Sequence, residues 1–486
     1  MRIRRPAVAL VVLALVAGAA GVEVHRSAVP ASAAPSISWR SCSGGRCGTL
    51  AVPLDPAERG GRTIRLALFR AAATSKRDRK GVLLINPGGP GGSGIDAARY
   101  LASALPRRVR RAFDLVGWDP RGTGISTAID CGARLDYLFA PDTAPDDAAE
   151  RAALEQASAR FARTCARRSG ALLDHVSSRD TVGDMERIRV ALGERRINFL
   201  GYSYGTLLGA LYANRYPGRV RAMVLDGAVD PTVGPEASLI QQAQGFDAGL
   251  ARFFDWCDGR RTCEFGDGDS AAAYRRLRAS VDARPIRVDG RRFGPTQMDL
   301  GVGSFLYSGE AGYRTLAEGL AALVEGEPAI IQAASDEYVG RRDRGRYDPS
   351  WGAFIAISCL DGPRIGTTAD LAAASERAAA AAPEFGAASV GLGTPCATWP
   401  TPPVFPDPDP IRAPDAPPIV VIGTRNDPVT PLAWAEGLAA QLGVGRLVVA
   451  PGAQHTGYPQ GDDCLDPFVE DYLVDLRVPP EGAACG

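Results

Sequence analysis

The chain has 486 residues, and its 55 acidic and 55 basic side chains leave no formal net charge. This length suits one elaborated α/β domain or two ordinary domains. A neutral balance gives no sign of a nucleic-acid partner or of binding to an anionic membrane, so neither is expected.

The amino terminus is typical of a secretory signal peptide. Three arginines among the first five residues precede an apolar run over residues 7–22 and the small-residue stretch "VPASAAPS" at 29–36. Cleavage after Ala33 would satisfy the small-x-small rule through Ala31 and Ala33. We therefore predict a signal peptide over residues 1–33 and a secreted product without stable membrane association; the alternative is a retained amino-terminal anchor.

Ten cysteines follow that segment, an even number that predicts disulfides in an exported protein. Pairing neighbours in sequence is one possible connectivity, although the sequence does not fix it. The pairs would be Cys42 with Cys47, Cys131 with Cys165, Cys257 with Cys263, Cys359 with Cys396, and Cys464 with Cys485. No cluster of cysteine and histidine has the C-x-x-C spacing of a zinc site, so neither a metal nor another cofactor is expected.

Residues 61–231 alternate apolar runs of strand length with amphipathic segments. The predicted strands cover 63–71, 81–89, 113–122, 197–203 and 220–229, and the predicted helices cover 148–168, 181–193 and 204–217. Such alternation predicts an α/β fold with a largely parallel sheet and helices on both faces. We assign residues 34–231 to the first part of this core.

Residues 232–414 differ in composition from the preceding core. They predict a large helical cap insertion followed by a proline-dense connector. Alanine-rich and charged segments at 316–339 and 368–382 predict helices, and "TPPVFPDPDPIRAPDAPP" at 401–418 predicts an extended linker. A separate downstream domain is the alternative. It would leave the strand-like runs at 418–427 and 445–454 without a sheet, so we assign residues 415–486 to the carboxy-terminal part of the core.

The sequence "GYSYG" at 201–205 lies between a predicted strand and a predicted helix, the context of a nucleophile elbow. A strand that reverses into a helix within one residue strains the backbone at Ser203, and Gly201 and Gly205 remove the collisions that side chains would cause. We predict Ser203 as the nucleophile of a serine hydrolase.

A serine nucleophile needs a base and an acid, in the chain order serine, acid, histidine. Of the three histidines, only His455 follows the serine, and it lies on a loop after the last strong strand. Asp427 follows the preceding strand and would orient the imidazole of His455. The alternative for Asp427 is an N-cap of the helix that begins near Pro431.

The glycine-rich loop "LLINPGGPGGSG" at 83–94 follows an early strand and would supply backbone N–H groups to an oxyanion. The N–H group of Tyr204, at the start of the helix after the elbow, would complete this oxyanion hole. A phosphate-binding loop is the alternative for the glycines, but the Lys-Ser/Thr ending of a P-loop is missing.

Six segments together resemble one known family: "NPGGPGGSG", "WDPRGTGIS", "GYSYGT", "VLDGAVDP", "AISCLDGP" and "GTRNDPVTP". They are similar to the secreted actinobacterial tripeptidyl aminopeptidases, in the proline iminopeptidase group of α/β-hydrolases. The resemblance implies an α/β-hydrolase fold and a serine exopeptidase that removes short peptides from free amino termini. It also implies Gly89 as the second oxyanion donor beside Tyr204, and it supports the pair Cys359 and Cys396.

An aminopeptidase must recognise a substrate ammonium and so needs a carboxylate in its cleft. Asp361 in "CLDGP" and Glu310 in the insertion are the candidates, and a solvated surface carboxylate is the alternative for each. The first functional hypothesis is therefore an extracellular aminopeptidase acting on peptides with a free amino terminus. A carboxylic ester hydrolase with the same triad and a non-catalytic binding module are the other two.

Overall fold

The computed structural model describes residues 35–58, 60–288, 290–362, 364–405 and 409–486. The predicted signal peptide lies outside the described residues. In the described part of the chain, no helix combines the length and the hydrophobicity that crossing a membrane requires.

Within the residues that the structure describes, ten strands form one central sheet, and four short strands form two hairpins. The strands are β1 (Ser38–Cys42), β2 (Gly45–Pro53), β3 (Thr63–Ala71), β4 (Gly81–Asn86), β5 (Phe113–Trp118), β6 (Ile197–Tyr202), β7 (Val220–Asp226), β8 (Ile286–Val288), β9 (Arg291–Phe293), β10 (Arg341–Arg342), β11 (Arg346–Tyr347), β12 (Ile419–Thr424), β13 (Gly445–Ala450) and β14 (Ala483–Ala484). The sheet has the order β1-β2-β3-β5-β4-β6-β7-β12-β13-β14, and the hairpins are β8-β9 and β10-β11.

Seventeen α-helices and three 3₁₀ segments accompany these strands in the described ranges. The helices are α1 (Gly94–Ala104), α2 (Arg107–Ala112), α3 (Asp136–Phe139), α4 (Ala148–Ser169), α5 (Ser178–Ala191), α6 (Tyr204–Arg215), α7 (Pro235–Asp258), α8 (Ser270–Ala283), α9 (Pro295–Leu306), α10 (Glu310–Val324), α11 (Ala329–Tyr338), α12 (Ser350–Asp361), α13 (Thr368–Ala381), α14 (Gly386–Leu392), α15 (Thr394–Ala397), α16 (Leu432–Leu442) and α17 (Leu465–Asp475). The 3₁₀ segments are Gly170–His175, Pro217–Arg219 and Asp343–Gly345.

The sheet is parallel from β5 onward and antiparallel only at its β1-β2-β3 end. Every residue of β4, β5 and β12 is buried. Strands covered by helices on both faces bury all their side chains, and this explains their continuous apolar sequences. Two separate clusters of buried side chains pack on the two faces of the sheet. The predicted α/β architecture is confirmed.

Helices α7 to α15 lie between β7 and β12, as expected for a helical insertion. Part of the insertion has its own apolar core, built from side chains such as Leu250, Phe253, Met298 and Leu320. Helix α12 packs instead on the core beside the sheet. The division of the chain at residues 231 and 414 stays a prediction.

Five disulfides join the cysteine pairs that are neighbours in sequence. They are Cys42–Cys47, Cys131–Cys165, Cys257–Cys263, Cys359–Cys396 and Cys464–Cys485. No free cysteine is present among the described residues.

The Cys359–Cys396 bond joins the end of α12 to α15 and spans 37 residues. We expect the double variant C359S/C396S to lose roughly 3–4 kcal/mol of unfolding free energy, because the unfolded chain regains the entropy that this loop closure removes. Urea unfolding without reductant measures the loss. C42S/C47S, which opens a bond spanning only 5 residues, is the control and should lose about 2 kcal/mol. Equal urea midpoints for wild type and C359S/C396S would contradict this prediction.

Candidate active site

Ser203 forms the whole connection between β6, which ends at Tyr202, and α6, which begins at Tyr204. Its backbone has φ 52° and ψ −128°, a conformation that costs a non-glycine residue about 1–3 kcal/mol. The N–H group of Ser203 donates a hydrogen bond of 2.8 Å to the carbonyl of Asp226 at the end of the neighbouring strand β7. The predicted elbow is therefore present, and a backbone bond holds its strained residue.

The two glycines of the elbow are required by close backbone contacts. A Cβ atom on Gly201 would lie 2.6 Å from the carbonyl oxygen of Gly205. A Cβ atom on Gly205 would lie 2.7 Å from the side-chain oxygen of Asn86. Real Cβ atoms do not approach other heavy atoms so closely, so a side chain at either position would displace the turn.

The glycine-rich loop lies directly against the elbow. A Cβ atom on Gly88 would lie 2.5 Å from the carbonyl oxygen of Tyr202 and 3.0 Å from both the Ser203 Cβ and the Tyr204 nitrogen. Gly89, the next residue, has φ +108°. The N–H groups of Gly89 and Tyr204 have no acceptor among the described residues. Free N–H groups at a helix start beside a hydroxyl can stabilise a developing negative charge.

Asp427 and His455 form a hydrogen-bonded pair. Nδ1 of His455 lies 2.9 Å and 3.0 Å from the two carboxylate oxygens of Asp427, whose side chain is completely buried. The carboxylate also accepts bonds from the N–H groups of Val429 (2.8 Å) and Thr430 (3.0 Å) and from the Thr430 hydroxyl. Burial opposes ionisation, but His455 and these donors outweigh it and lower the pKa of Asp427. The pair can hold one imidazole tautomer, with its proton on Nδ1.

The structure excludes the N-cap alternative for Asp427. Helix α16 begins at Leu432, its N-cap is Pro431, and no side chain caps it. The donors to Asp427 come from the turn after β12 and from the loop of His455, including the N–H of Thr456 at 3.2 Å. The carboxylate thus joins two loops and does not begin a helix.

The short segment of Asp226 and Gly227 contacts both Ser203 and His455. Asp226 accepts the N–H of Ser203, and a Cβ atom on Gly227 would lie 3.1 Å from Cε1 of the imidazole. The Nε2 atom of His455 is buried and has no hydrogen-bond partner in the described part of the chain, so no bond to the Ser203 hydroxyl is formed. Such contacts are often long in structures without substrate and tighten when substrate binds.

The helical insertion also contacts His455. The backbone carbonyl of Tyr307, at the end of α9, accepts the N–H of His455 at 2.8 Å. The Tyr307 ring lies edge-on to the imidazole, with 5.4 Å between centroids and an angle of 89°. Gly309 packs against Ala453 and Gln454, where an added Cβ would come within about 3.0 Å of the backbone. The insertion therefore contacts the loop between β13 and α17, residues 451–464, which contains His455 and is called the histidine loop below.

A cavity of about 910 Å³ lies between the insertion and the α/β core. Most of its lining is apolar or aromatic and includes Phe246, Tyr307, Trp351 and Phe354. Four aspartates also line it, namely Asp230, Asp299, Asp361 and Asp409. A cavity of this size and character can hold a short peptide or another mainly apolar acyl group.

Asp361, at the end of α12, contacts the residue that follows the elbow serine. Its carboxylate accepts hydrogen bonds from the Tyr204 hydroxyl, from the Ser178 N–H at 2.7 Å and from the Ser178 hydroxyl at 2.6 Å. No cationic side chain pairs with it among the described residues. Burial raises the pKa of Asp361 to about 6, although the bonds from Ser178 and Tyr204 oppose the shift. Three hydrogen-bond donors therefore hold this carboxylate at the lining of the cavity.

Glu310, the other candidate for the substrate ammonium, is not brought into the cavity. Its side chain is 69% exposed and pairs with Arg260 at 3.0 Å. It also accepts a bond of 3.0 Å from the indole N–H of Trp256. Glu310 is therefore a surface carboxylate at the start of α10, which is the alternative given for it above, and not a group that binds a substrate ammonium.

Residues 81–462 match the family of the alpha/beta hydrolase fold, and the chain belongs to this family. It is 38% identical to "Serine protease Hip1" of Mycobacterium tuberculosis, covering 92% of this chain and 91% of the relative. It is 36% identical to "Carboxylesterase B" of M. tuberculosis (93% and 90% covered) and 30% identical to "Tripeptidyl aminopeptidase" of Streptomyces lividans (95% and 89%). The protein is a serine hydrolase, and the hypothesis of a non-catalytic module is wrong.

Sequence reasoning missed three residues that contact the histidine loop: Asp226, Tyr307 and Thr430. The Thr430 hydroxyl lies 3.3 Å from Nδ1 of His455 and donates to Asp427. Only Asp226 had a local signal, since it ends a buried strand directly before a glycine in "VLDGAVDP". The contacts of Tyr307 and Thr430 with His455 depend on how distant segments pack.

Proposed function

We propose that the protein is a secreted serine exopeptidase that releases short peptides, in particular tripeptides, from free amino termini through an acyl-enzyme. The observation that carries the proposal is the buried Asp427–His455 pair beside an elbow serine, next to a cavity that contains a carboxylate without a cationic partner. The relatives named as a protease and as a tripeptidyl aminopeptidase support the substrate class.

In the proposed acylation step, Ser203 Oγ attacks the carbonyl carbon of the scissile bond while Nε2 of His455 takes the hydroxyl proton. Asp427 stabilises the imidazolium through Nδ1 and keeps its orientation. The N–H groups of Gly89 and Tyr204 bind the oxyanion of the tetrahedral intermediate. The imidazolium then protonates the leaving amine, and the peptide remains bound to Ser203 as an ester.

Deacylation repeats these steps with water. A water molecule attacks the acyl carbon while His455 takes one of its protons. The same two N–H groups bind the oxyanion of the second tetrahedral intermediate. When this intermediate collapses, His455 returns the proton to Ser203 Oγ and the peptide leaves as a carboxylic acid. No cofactor enters either step.

Tyr204 relates the proposed ammonium site to the scissile bond. Its N–H belongs to the proposed oxyanion hole, and its hydroxyl donates to Asp361. An extended peptide advances about 3.3–3.6 Å per residue, so the reach of an extended tyrosine side chain corresponds to roughly two residues. An ammonium bound at Asp361 then fits a peptide with two or three residues before the scissile bond better than a single amino acid.

We expect Asp361→Asn to lower kcat/KM for a tripeptide anilide with a free amine by about 10–100-fold, since a charge-assisted hydrogen bond is lost. The same anilide with an acetylated amine should change little. Because the pKa of Asp361 is raised to about 6, its carboxylate is ionised above that pH and protonated below it. The wild-type KM for the free amine should therefore rise as the pH falls through 6, and that rise should be absent in the variant.

Asp230→Asn is the matched control, because Asp230 lines the same cavity but accepts bonds from Thr232 and Gln441. It should leave the preference for a free amine in place. Equal losses of kcat/KM for the free and the acetylated anilide in Asp361→Asn would contradict the ammonium site. They would not contradict the proposed role of Ser203 as the nucleophile.

A carboxylic ester hydrolase is the second candidate function. The apolar lining of the cavity and the relative named "Carboxylesterase B" favour it. Comparing a free-amine tripeptide anilide, its acetylated form and a short acyl ester separates the two functions. Faster turnover of the ester, with no effect of acetylation, would support the esterase and contradict the exopeptidase.

Secretion is part of the proposal. Five disulfides form and persist in oxidising compartments such as the extracellular space. Intact-mass and amino-terminal sequencing of the protein from culture medium would test it. A mature chain that begins at residue 34 is the expected result, and a product found only inside cells with residues 1–33 retained would contradict secretion.

A further inference from the structure

Asp226 is a buried carboxylate that the proposed catalytic steps do not use. It is the last residue of β7, and its relative exposure is 0%. Its oxygens accept the N–H of Gly457 at 2.9 Å and 3.0 Å, and the N–H of Tyr458 at 2.7 Å. Both donors lie within three residues of His455, so the side chain binds the backbone of the histidine loop.

The same residue contacts the elbow. Its backbone carbonyl accepts the N–H of Ser203 at 2.8 Å, while its carboxylate binds residues 457 and 458. Gly227, which follows it, packs against Cε1 of His455. Asp226 therefore contacts both the elbow with the proposed nucleophile and the loop with the proposed base, and Tyr307 contacts the same loop from the insertion.

The surroundings of Asp226 do not explain it as a stabilising residue. No arginine or lysine pairs with it within the described ranges. The groups that face it, apart from the two N–H donors, are the His455 imidazole, the Asp427 carboxylate and the Tyr202 hydroxyl. Burial raises its pKa to about 7, and the bonds from Gly457 and Tyr458 only partly offset this. A buried carboxylate without a cationic partner is costly, so a requirement for the loop geometry accounts for it better.

We propose that Asp226 is a positioning residue, whose carboxylate holds the backbone of Gly457 and Tyr458 so that His455 stays aligned with Ser203. This inference rests on the proposed roles of Ser203 and His455 but not on the identity of the substrate. A misplacement of reacting groups by about 1 Å can reduce a rate by about 10²-fold. Asparagine at this position keeps the size of the side chain but offers the two N–H groups only one acceptor oxygen.

The test is Asp226→Asn, assayed with a peptide anilide and with an organophosphonate that modifies active-site serines. We expect kcat, counted per labelled active site, and the first-order rate of phosphonate inactivation to fall together by about 10–100-fold, with KM changed less than about threefold. Thermal unfolding of the variant at the assay pH should show that it is folded at the assay temperature.

Asp114→Asn is the matched control. Asp114 is also buried at a strand position and accepts a backbone N–H, from Ala73 at 2.8 Å, but it lies in β5 and pairs with Arg70 and Arg79. It should lower Tm and leave kcat per labelled site unchanged. The same pattern in Asp226→Asn would overturn the proposal, as would a change confined to KM.

A second variant and the rate of inactivation distinguish a failure of the positioning role from a failure of folding or of the proposed substrate class. If Asp226→Asn is not recovered folded, Asp226→Ser, which keeps an acceptor oxygen in a smaller side chain, replaces it with the same readouts. The inactivation rate does not depend on a peptide substrate. A slow inactivation in the variant therefore supports the positioning role even if the wild type prefers esters, and an unchanged inactivation rate contradicts it whatever the substrate.

Discussion

Ser203→Ala is expected to lower kcat by about 10⁶-fold and to abolish covalent labelling by an organophosphonate. The reason is that no other hydroxyl occupies the strained turn between β6 and α6, where the loop containing Gly88 and the start of α6 approach the serine. Loss of Oγ removes the acyl-enzyme path and leaves only the residual effect of the oxyanion hole and substrate binding. The fold should be unchanged, because Ser203 Oγ makes no hydrogen bond in the described residues.

Mass spectrometry of the labelled protein and a rate assay measure this result. Ser304→Ala is the control, since this hydroxyl lines the cavity on α9 but is not part of the elbow. It should keep both labelling and turnover close to wild type. Labelling that persists in Ser203→Ala, or that moves to another residue with activity retained, would remove the proposed nucleophile.

Asp427→Asn should lower kcat by about 10⁴-fold with a much smaller effect on KM. The present carboxylate accepts the Nδ1 proton of His455 at 2.9 Å. An asparagine amide can donate to Nδ1 instead, and this favours the tautomer with its proton on Nε2, which cannot accept the serine proton. The lowered pKa of Asp427 means that the carboxylate stays ionised when the imidazole becomes charged.

The control for this variant is Asp142→Asn, which changes another buried aspartate that does not contact His455. Thermal unfolding of both variants should show that they are folded at the assay temperature. A kcat for Asp427→Asn within about tenfold of wild type would mean that a different group orients the imidazole, and the proposed acid would be wrong.

The parts predicted from sequence are those set by local steric and packing requirements. A serine between two glycines, preceded by a buried strand and followed by a helix, allows few backbone paths, and the observed φ of 52° at Ser203 is the expected one. The buried strands β4, β5, β6 and β12 are continuous apolar runs because helices cover both faces of the sheet. Disulfide pairing between sequence neighbours was also recovered.

The parts that sequence did not predict depend on packing between distant segments. In the antiparallel hairpin of β1 and β2, no residue of β1 is buried and only Gly48, Leu50 and Val52 of β2 are, so the apolar signal in the sequence is short. The contact between Tyr307 and His455 joins residues 148 positions apart through the insertion. Asp361 was named as a candidate, but its bonds to Ser178 and Tyr204 required the packing of α12 against α5 and α6.

Two further predictions from sequence concerned an ammonium site at Glu310 and the domain limits; the first is corrected by the contacts, and the second is not tested by them. An ammonium site at Glu310 was reasonable for a carboxylate in the insertion, yet its side chain faces solvent and pairs with Arg260. The domain limits at residues 231 and 414 stay predictions, because α12 of the insertion shares the core beside the sheet.

The most direct test is a crystal structure of the protein after inactivation by a tripeptidyl phosphonate with a free amine. The account predicts a bond from phosphorus to Ser203 Oγ, the phosphoryl oxygen within hydrogen-bond distance of the N–H groups of Gly89 and Tyr204, and Nε2 of His455 bonded to the adduct. An adduct on another side chain, or an imidazole beyond hydrogen-bond distance of the modified serine and its phosphonyl oxygens, would contradict the claim that these residues form one catalytic site.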